Sequence, residues 1–321
     1  MSQLILTHIR LSKSLFLGLS VLGLTAGQAQ AAPKVVASIK PVHSLVAAVM
    51  DGVGSPDLVV DGAGSPHAYA MRPSQAATLQ DADLVFWVGP SLESFLVKPV
   101  ETLGDGKSVT LMDADADDDH AGEHGDGHDH VAHEEEGAED EDGHHHHEGA
   151  DPHIWLDPVE AGEMVHRIEE ALAEADPENA AAYEANAEKL ETRLTELTGE
   201  IETTVAPVKD TPFVVFHDAY EHFSERFGIE PEASVTLSPD RTPSAAHIAE
   251  VQGILQETQA ACIFAEPQFE PKLVDVLIEG TSTRKAVLDP LGADLTDGPD
   301  LYFELMRNLA GSLRDCLGGE S

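Results

Sequence analysis

Three histidines lie where predicted strands and loops end. His67 follows an apolar run across a short Gly/Pro turn, His217 comes directly after another apolar run, and His153 closes a long polar segment. In open α/β sheets, ligands bind outside the carboxyl ends of the strands, so these side chains from distant segments could converge there. Three imidazoles and one further ligand form the tetrahedral arrangement that zinc prefers. The pattern therefore predicts a zinc site that contains His67, His153 and His217.

A carboxylate is the candidate for the fourth ligand of this site. Asp289 comes directly after the apolar run 286–288 and before Pro290, so it too follows a predicted strand. Taken singly, a histidine in a loop is usually solvated, and an Asp-Pro pair is usually a turn. The prediction rests on the joint placement of four ligand-type residues at the ends of predicted elements.

Residues 113–150 differ in composition from the rest of the chain. These 38 residues contain 16 Asp/Glu, nine His and no Lys or Arg. With almost nothing apolar to bury, the segment is expected to be a disordered loop. We predict that its histidines are auxiliary, low-affinity metal ligands, and they are His120, His124, His128, His130, His133, His144, His145, His146 and His147. The alternative is a solvated acidic linker with no role in metal binding.

The overall composition favours cations as partners. The 321 residues include 59 Asp+Glu and 18 Lys+Arg, which gives a formal net charge of -41 with His neutral. Such a surface repels phosphate backbones and anionic lipids, so the composition argues against nucleic acid as a partner. The chain also contains 17 His, and imidazoles and carboxylates are the nitrogen and oxygen ligands that divalent metals use most.

The N-terminus has the features of a cleavable secretory signal. Arg10 and Lys13 precede the apolar run 15–24, which is too short to cross a bilayer, and a small-x-small motif ends at Ala31. We predict a signal peptide over residues 1–31, with a buried N-terminal helix as the alternative. Since no other apolar stretch is long enough to span a membrane, the mature protein is expected to be exported and not embedded in a membrane.

The chain has two cysteines, Cys262 and Cys316. An exported protein meets an oxidising compartment, where an even number of cysteines favours a disulfide bond. The alternative is a pair of free buried thiols. A thiolate metal site is not expected, because the two residues lack the short spacing of zinc–cysteine motifs.

Apolar runs alternate with helical patterns on both sides of the acidic segment, which predicts parallel sheets with helices on their faces. The predicted strands are 35–39, 57–60, 84–88, 213–216, 262–265 and 286–288. The predicted helices are 43–50, 73–80, 157–175, 178–205, 220–227, 244–256, 272–280 and 300–317. The predicted fold class is therefore α/β, with an N-terminal lobe over 33–175, a linking helix over 178–206 and a C-terminal lobe over 208–321.

Six segments of the chain, taken in order, are similar to motifs of one protein family. They are SPHAY (65–69) with RPS (72–74), ADLVFWVG (82–89), DPHIWLDP (151–158), VFHDAY (215–220), FAEPQF (264–269) and LDPLG (288–292). Together they resemble the cluster A-I solute-binding proteins of ABC importers, and most closely the zinc-binding members. The resemblance covers nearly all of the predicted mature chain.

This resemblance implies two α/β lobes joined by a rigid long helix, with the metal held in the cleft between the lobes. It implies His67, His153 and His217 as ligands, and Asp289 matches a carboxylate ligand of related manganese and zinc members. In some zinc members an acidic residue directly precedes the first histidine, whereas this chain has Pro66 at that position. The fourth ligand is therefore left open between Asp289, a water and a histidine of the loop.

The resemblance also implies a function. The implied protein is a periplasmic monomer that captures Zn²⁺ and delivers it to an inner-membrane ABC permease for high-affinity uptake. The chain has no G-x-x-x-x-G-K-[ST] motif, so ATP hydrolysis is assigned to a separate subunit. The paired cysteines of the family match Cys262 and Cys316. Three neutral imidazoles favour zinc over manganese, and binding is expected to weaken as the pH falls through the histidine range.

Two other functions are compatible with the same ligands. Three histidines and a water also form the open site of zinc hydrolases, for which Glu266 is the best candidate for a general base. Against an enzyme, the chain contains no H-E-x-x-H motif. The other alternative is a periplasmic zinc buffer or metallochaperone that serves no permease.

Overall fold

Two four-stranded parallel sheets organise the chain. The first has the order β2-β1-β3-β4 and is formed by Val35–Ala37 (β1), Asp57–Leu58 (β2), Leu84–Trp87 (β3) and Ser108–Thr110 (β4). The second has the equivalent order β6-β5-β7-β8 and is formed by Phe213–His217 (β5), Ala233–Thr236 (β6), Cys262–Ala265 (β7) and Arg284–Val287 (β8). The predicted fold class, two α/β lobes with parallel sheets, is thereby confirmed.

The structure is a computed structural model that describes residues 32–319, except 105, 113–150, 237–238 and 240–241. The predicted signal peptide and the predicted His-rich loop lie outside the described residues. The division of the whole chain into domains therefore stays a prediction.

Parallel strands require crossover connections, and helices supply most of them. The helices are Lys40–Val49 (α1), Pro73–Gln80 (α2), Val97–Glu101 (α3), Pro158–Ala175 (α4), Ala180–Val205 (α5), Glu221–Phe227 (α6), Ala245–Glu257 (α7), Lys272–Leu277 (α8) and Leu301–Leu317 (α9). Two of them begin at capping residues: the Asp157 side chain accepts a hydrogen bond from the Val159 amide, and Ser244 accepts one from the His247 amide. None of the helices among the described residues is long and apolar enough to span a bilayer.

Helix α5 connects the two halves of the fold. Its 26 residues correspond to a length of about 39 Å at 1.5 Å per residue. Its buried positions recur every three or four residues, as one face of a helix requires, and they are Tyr183, Ala187, Leu190, Leu194, Leu197, Ile201 and Val205. This face packs against α1, α4 and α9, so the helix is part of the core rather than an exposed linker.

A continuous buried cluster runs through both lobes. It includes Phe86 from β3, Leu197 from α5, Phe264 from β7 and Met306 from α9, all of them almost fully buried. A smaller cluster, around Val214 and neighbouring side chains, forms a second core in the C-terminal lobe. The two sheets are thus held by one shared apolar core.

A disulfide bond joins Cys262 in β7 to Cys316 in α9 and closes a loop across 54 positions of the sequence. The prediction of a disulfide is confirmed. On the chain-entropy model a loop of this length stabilises the folded state by about 4 kcal/mol.

Apart from the short 3₁₀ turns, three elements among the described residues were not predicted, namely α3, β4 and β6. Strands β4 and β6 lie at sheet edges and leave several side chains partly exposed, so their apolar signal is weak. Helix α1 begins at Lys40, three residues before its predicted start. Pro41 lies in its first turn, where the fixed φ of proline suits a helix.

Candidate metal centre

The structure brings His67, His153 and His217 together. His67 lies in a single 3₁₀ turn, Pro66–Ala68, after β2, and His153 immediately precedes another, Ile154–Leu156. His217 is the last residue of β5. The Nε2 atom of His153 lies 3.2 Å from that of His67 and 3.4 Å from that of His217. Among the described residues, only these three form a group of potential metal ligands.

The spacing of these nitrogens fits a tetrahedral zinc ion. With zinc–nitrogen bonds of 2.0–2.1 Å, the nitrogens at two corners of a tetrahedron are about 3.3–3.4 Å apart. The two measured Nε2–Nε2 distances, 3.2 and 3.4 Å, are close to this value. The three ligand atoms together lie within 4.8 Å of one another, so one ion can contact all of them.

A carboxylate contacts the Nδ1 atom of each of the two buried imidazoles. Asp151 Oδ1 accepts a hydrogen bond from His153 Nδ1 and also one from the His153 backbone amide. Glu266 Oε1 lies 2.7 Å from His217 Nδ1 and 3.3 Å from the hydroxyl of Tyr220, which donates to it. A metal-binding histidine usually donates its second ring N–H to such a group, which fixes the tautomer and the ring orientation. The arrangement therefore turns both Nε2 atoms towards the centre of the site.

These hydrogen bonds make the centre attractive to a cation. With protons on both Nδ1 atoms, the Nε2 lone pairs of His153 and His217 face each other at 3.4 Å and repel, unless a proton or a metal ion lies between them. Burial acts to lower the pKa of His217, but the charge and hydrogen bond of Glu266 outweigh it, so the pKa is raised. Burial acts to raise the pKa of Asp151, but His153 outweighs it and the pKa is lowered. Two buried carboxylates match the charge of a divalent ion.

The site has apolar walls. Trp155 and Phe269 lie beside the imidazoles, with ring centroids 5.2 Å from His153 and 5.7 Å from His217 respectively. The indole N–H of Trp155 donates to the carbonyl of Pro290 at 2.8 Å, which ties the turn after β8 to the segment that carries His153. The cavity bounded by these groups has a volume of about 10 Å³, on the scale of one water molecule.

The structure does not place Asp289 in the ligand group. Both of its carboxylate oxygens accept hydrogen bonds within its own turn, from the amides of Leu291 at 3.1 Å, Gly292 at 3.0 Å and Ala293 at 2.6 Å. A fourth bond comes from Gln268 Nε2 at 2.9 Å. The carboxylate closes the turn and orients a neighbouring amide in this structure, and its role as a fourth ligand stays a prediction.

Two residues of the site were missed from the sequence. Asp151 could have been found from the Asp-Pro-His order, which places a carboxylate two residues before His153. Glu266 was considered only as a catalytic base. Because β5 and β7 are parallel neighbours, residues at their carboxyl ends meet, and this topology accounts for the contact between Glu266 and His217.

The sequence of the chain matches one family model over residues 35–316, described as "ZnuA: Zinc-uptake complex component A periplasmic". The chain belongs to the ZnuA family. The High-affinity zinc uptake system protein ZnuA of Brucella abortus (strain 2308) is 47% identical to it, over 95% of this chain and 98% of that protein. The protein of the same name from Yersinia pestis is 35% identical, over 89% of this chain and 92% of that protein.

Solved structures support the same fold. A crystal structure of ZnuA superposes with a TM-score of 0.69, at 22% identity, over 89% of this chain and 99% of that chain. The Zn(II)-bound ZnuA-like domain of Streptococcus pneumoniae AdcA superposes with a TM-score of 0.64, at 23% identity, over 90% of this chain and 100% of that domain. The resemblance to a family of solute-binding proteins, inferred from six motifs, is confirmed.

Proposed function

We propose that this protein captures Zn²⁺ and delivers it to an ABC importer for high-affinity zinc uptake. The observation that carries the proposal is the convergence of three imidazole Nε2 atoms at a spacing that fits tetrahedral zinc. Neutral imidazoles favour zinc over manganese and calcium, which prefer oxygen ligands. Relatives that are 47% and 35% identical carry the name of a zinc uptake protein. His67, His153 and His217 are the proposed ligands.

The proposed partner is an inner-membrane permease with a separate ATPase subunit. The family description includes the words zinc uptake and periplasmic, which supports export of this chain and action outside the cytoplasm. We propose that the protein acts as a monomer, since the three ligands come from one chain and complete the group without a second copy.

Binding is favoured over catalysis by the small size of the site. The cavity lined by the imidazoles has a volume of about 10 Å³ and must hold the metal ion itself, so it offers little space for an ester or a peptide. A hydrolase would require turnover of such a substrate, lost in the His217→Ala variant.

Native mass spectrometry of the zinc-loaded protein tests the ligand assignment. The zinc count is expected to fall by one in His67→Ala, His153→Ala and His217→Ala, because each change removes one of three protein ligands. His166→Ala is the matched control, since His166 lies exposed on α4, and its zinc count should stay unchanged. Retention of the full count in all four variants would refute the proposed site.

Growth under zinc limitation separates import from buffering. A strain that lacks the protein is expected to grow poorly when a chelator removes zinc, and added zinc should restore growth. Normal growth of that strain in zinc-poor medium would contradict the importer function and leave a buffer as the better explanation.

The His-rich loop is proposed as an auxiliary collector of zinc. Its composition is the only support, because residues 113–150 lie outside the described part of the chain. Deletion of residues 115–148 is expected to lower the zinc stoichiometry measured by calorimetry while the tightest site remains. An unchanged stoichiometry would favour a solvated acidic linker.

A further inference from the structure

Three buried oxygen atoms near the three imidazoles have no hydrogen-bond partner among the described residues. They are Asp151 Oδ2, Glu266 Oε2 and Gln268 Oε1. Of these residues, Glu266 and Gln268 line the same cavity as His67, His153 and His217. The side chain of Glu266 is only 1% exposed, so its second oxygen has no access to bulk solvent. A buried acceptor without a donor is costly, and such atoms in a binding cavity indicate a bound group that donates hydrogen bonds.

The orientation of the Gln268 amide is fixed by Asp289. The two ends of a glutamine amide look alike, and only the hydrogen-bond network distinguishes the oxygen from the nitrogen. The carboxylate of Asp289 accepts three backbone N–H bonds, so the group that faces it must be a donor, and Gln268 Nε2 lies 2.9 Å away. Gln268 Oε1 is therefore the amide atom left without a protein partner.

We propose that Glu266 Oε2 and Gln268 Oε1 form an acceptor pair that reserves the fourth coordination position of the metal for a water. This inference rests on the proposed function, since it requires a metal ion on the three imidazoles. A water in this cavity has three partners: the metal through its oxygen, and the two acceptors through its hydrogens. That number of partners is typical of buried water.

The acceptor pair also excludes anions from the metal. An anion such as azide or chloride has no hydrogen to donate, so it would face one carboxylate oxygen and one amide oxygen at close range. Both contacts are repulsive, because negative charge meets negative charge or the negative end of a dipole. Gln268 is thus assigned as a specificity-determining residue, and Asp289 acts through it as a positioning residue rather than as a ligand.

Azide binding to the cobalt-substituted full-length protein tests the proposal. Co²⁺ replaces Zn²⁺ on the imidazoles, and its visible spectrum changes when the fourth ligand changes. In the Gln268→Met variant, which keeps the side-chain length but removes the acceptor, the azide dissociation constant is expected to fall about ten-fold or more. The matched control is Gln256→Met, at an exposed position of α7, which should bind azide as the unsubstituted protein does. Equal azide binding by the unsubstituted protein and Gln268→Met would overturn the proposal.

A second measurement guards against a folding defect in the variant. As a measurement that needs no variant, X-ray absorption of the zinc protein should show three imidazoles and one oxygen ligand. Absence of the oxygen would also overturn the proposal.

The outcomes separate this inference from the proposed function. If the unsubstituted protein binds no metal at His67, His153 and His217, the zinc-capture function fails. If it binds one ion there, but Gln268→Met leaves azide binding unchanged, only the acceptor pair is refuted.

Discussion

Orientation of two imidazole rings is decided by the carboxylates that accept hydrogen bonds from them. Asp151 and Glu266 each bind the Nδ1 side of one ring, so the Nε2 atoms face the centre of the proposed metal site. Removing such a partner frees the ring to rotate and to exchange tautomers, and it also removes a negative charge that balances the ion. Affinity for zinc therefore depends on carboxylates that a list of direct ligands would leave out.

The Asp151→Ala variant measures the contribution of one of these carboxylates. Zinc affinity is expected to fall about 10–100-fold, because His153 loses the acceptor of its Nδ1 proton. Competition with a chelator of known affinity provides the measurement. Asp210→Ala, which removes an exposed carboxylate before β5, is the control and should bind zinc normally. Equal affinity of the two variants would show that Asp151 does not orient the ligand.

At the residue scale, the convergence of the three proposed ligands could be predicted from sequence, but the carboxylates that orient them could not all be predicted. His67, His153 and His217 lie in motifs that end predicted elements, and the structure brings them together. Asp289 was placed correctly after a strand, yet its carboxylate turns to its own backbone amides. The direction in which a side chain turns depends on local backbone geometry, which residue types and spacing do not contain.

At the scale of elements, a buried lysine connects helix α1 to the turn after β8. Lys40 Nζ donates to the carbonyls of Ala293 at 3.1 Å and Leu295 at 2.7 Å, and it lies 3.2 Å from the carboxylate of Asp297. The same turn contributes Pro290 and Leu291 to the wall of the metal cavity. Lys40 therefore links helix α1 of the N-terminal lobe to the turn of the C-terminal lobe that forms one wall of the site.

Replacing Lys40 by methionine keeps the apolar stem and removes the donor. Two carbonyls then lose their partner, and the free energy of unfolding is expected to fall by about 2–4 kcal/mol. Chemical denaturation of the metal-free protein gives this value. Lys189→Met on the exposed face of α5 is the matched control and should change stability by less than about 0.5 kcal/mol. A loss in Lys40→Met no greater than in the control would contradict this role.

A buried carboxyl group ties together the carboxyl ends of β1 and β3. Glu93 accepts hydrogen bonds from the Ser38 hydroxyl at 2.6 Å, the Val88 amide at 3.2 Å and the Gly89 amide at 2.9 Å. Burial raises the pKa of Glu93 to about 7, although these hydrogen bonds act to lower it. The group therefore binds a proton more tightly in the folded chain than in the unfolded chain.

This raised pKa predicts a pH dependence of stability with a definite sign. The contribution of Glu93 is fully present below the unfolded pKa of about 4.5 and is lost as the pH rises through about 7, a change of about 3 kcal/mol. The Glu93→Gln variant cannot titrate there, so the stability of the unsubstituted protein relative to it should fall between about pH 5 and pH 8. Urea denaturation of the metal-free proteins tests this, with Glu101→Gln at the exposed end of α3 as the control. Parallel pH profiles of the unsubstituted protein and Glu93→Gln would refute it.

Most elements of the fold could be predicted, because their apolar residues recur at regular helical spacing or form continuous runs. Helix α5 and strand β5 have buried positions at clear helical spacing or in a continuous run. Strand β4 has only three residues, with one half-buried side chain between two exposed ones, so it resembles a loop. Contacts such as that between Lys40 and Leu295 join residues distant in sequence, and no local pattern predicts them.

At the scale of the whole molecule, the two lobes share one apolar core through α5. Neither sheet can lose its packing without exposing side chains of the other. The metal-free protein is therefore expected to unfold in a single calorimetric transition, with equal calorimetric and van't Hoff enthalpies. Zinc at about a thousand times its dissociation constant should add about 4 kcal/mol and move the whole transition upward. Two separate transitions, of which only one responds to zinc, would contradict this.

The shared core also has a consequence for the rate of zinc capture. Packing of α5 against both lobes means that the entropy of bringing the ligand segments together is lost when the chain folds, not when the ion arrives. Capture should then be limited by diffusion and by the stripping of water from the ion. Unloading to the proposed permease should then depend on how fast individual metal–nitrogen bonds break, because separating the ligand segments would disturb the core that both lobes share.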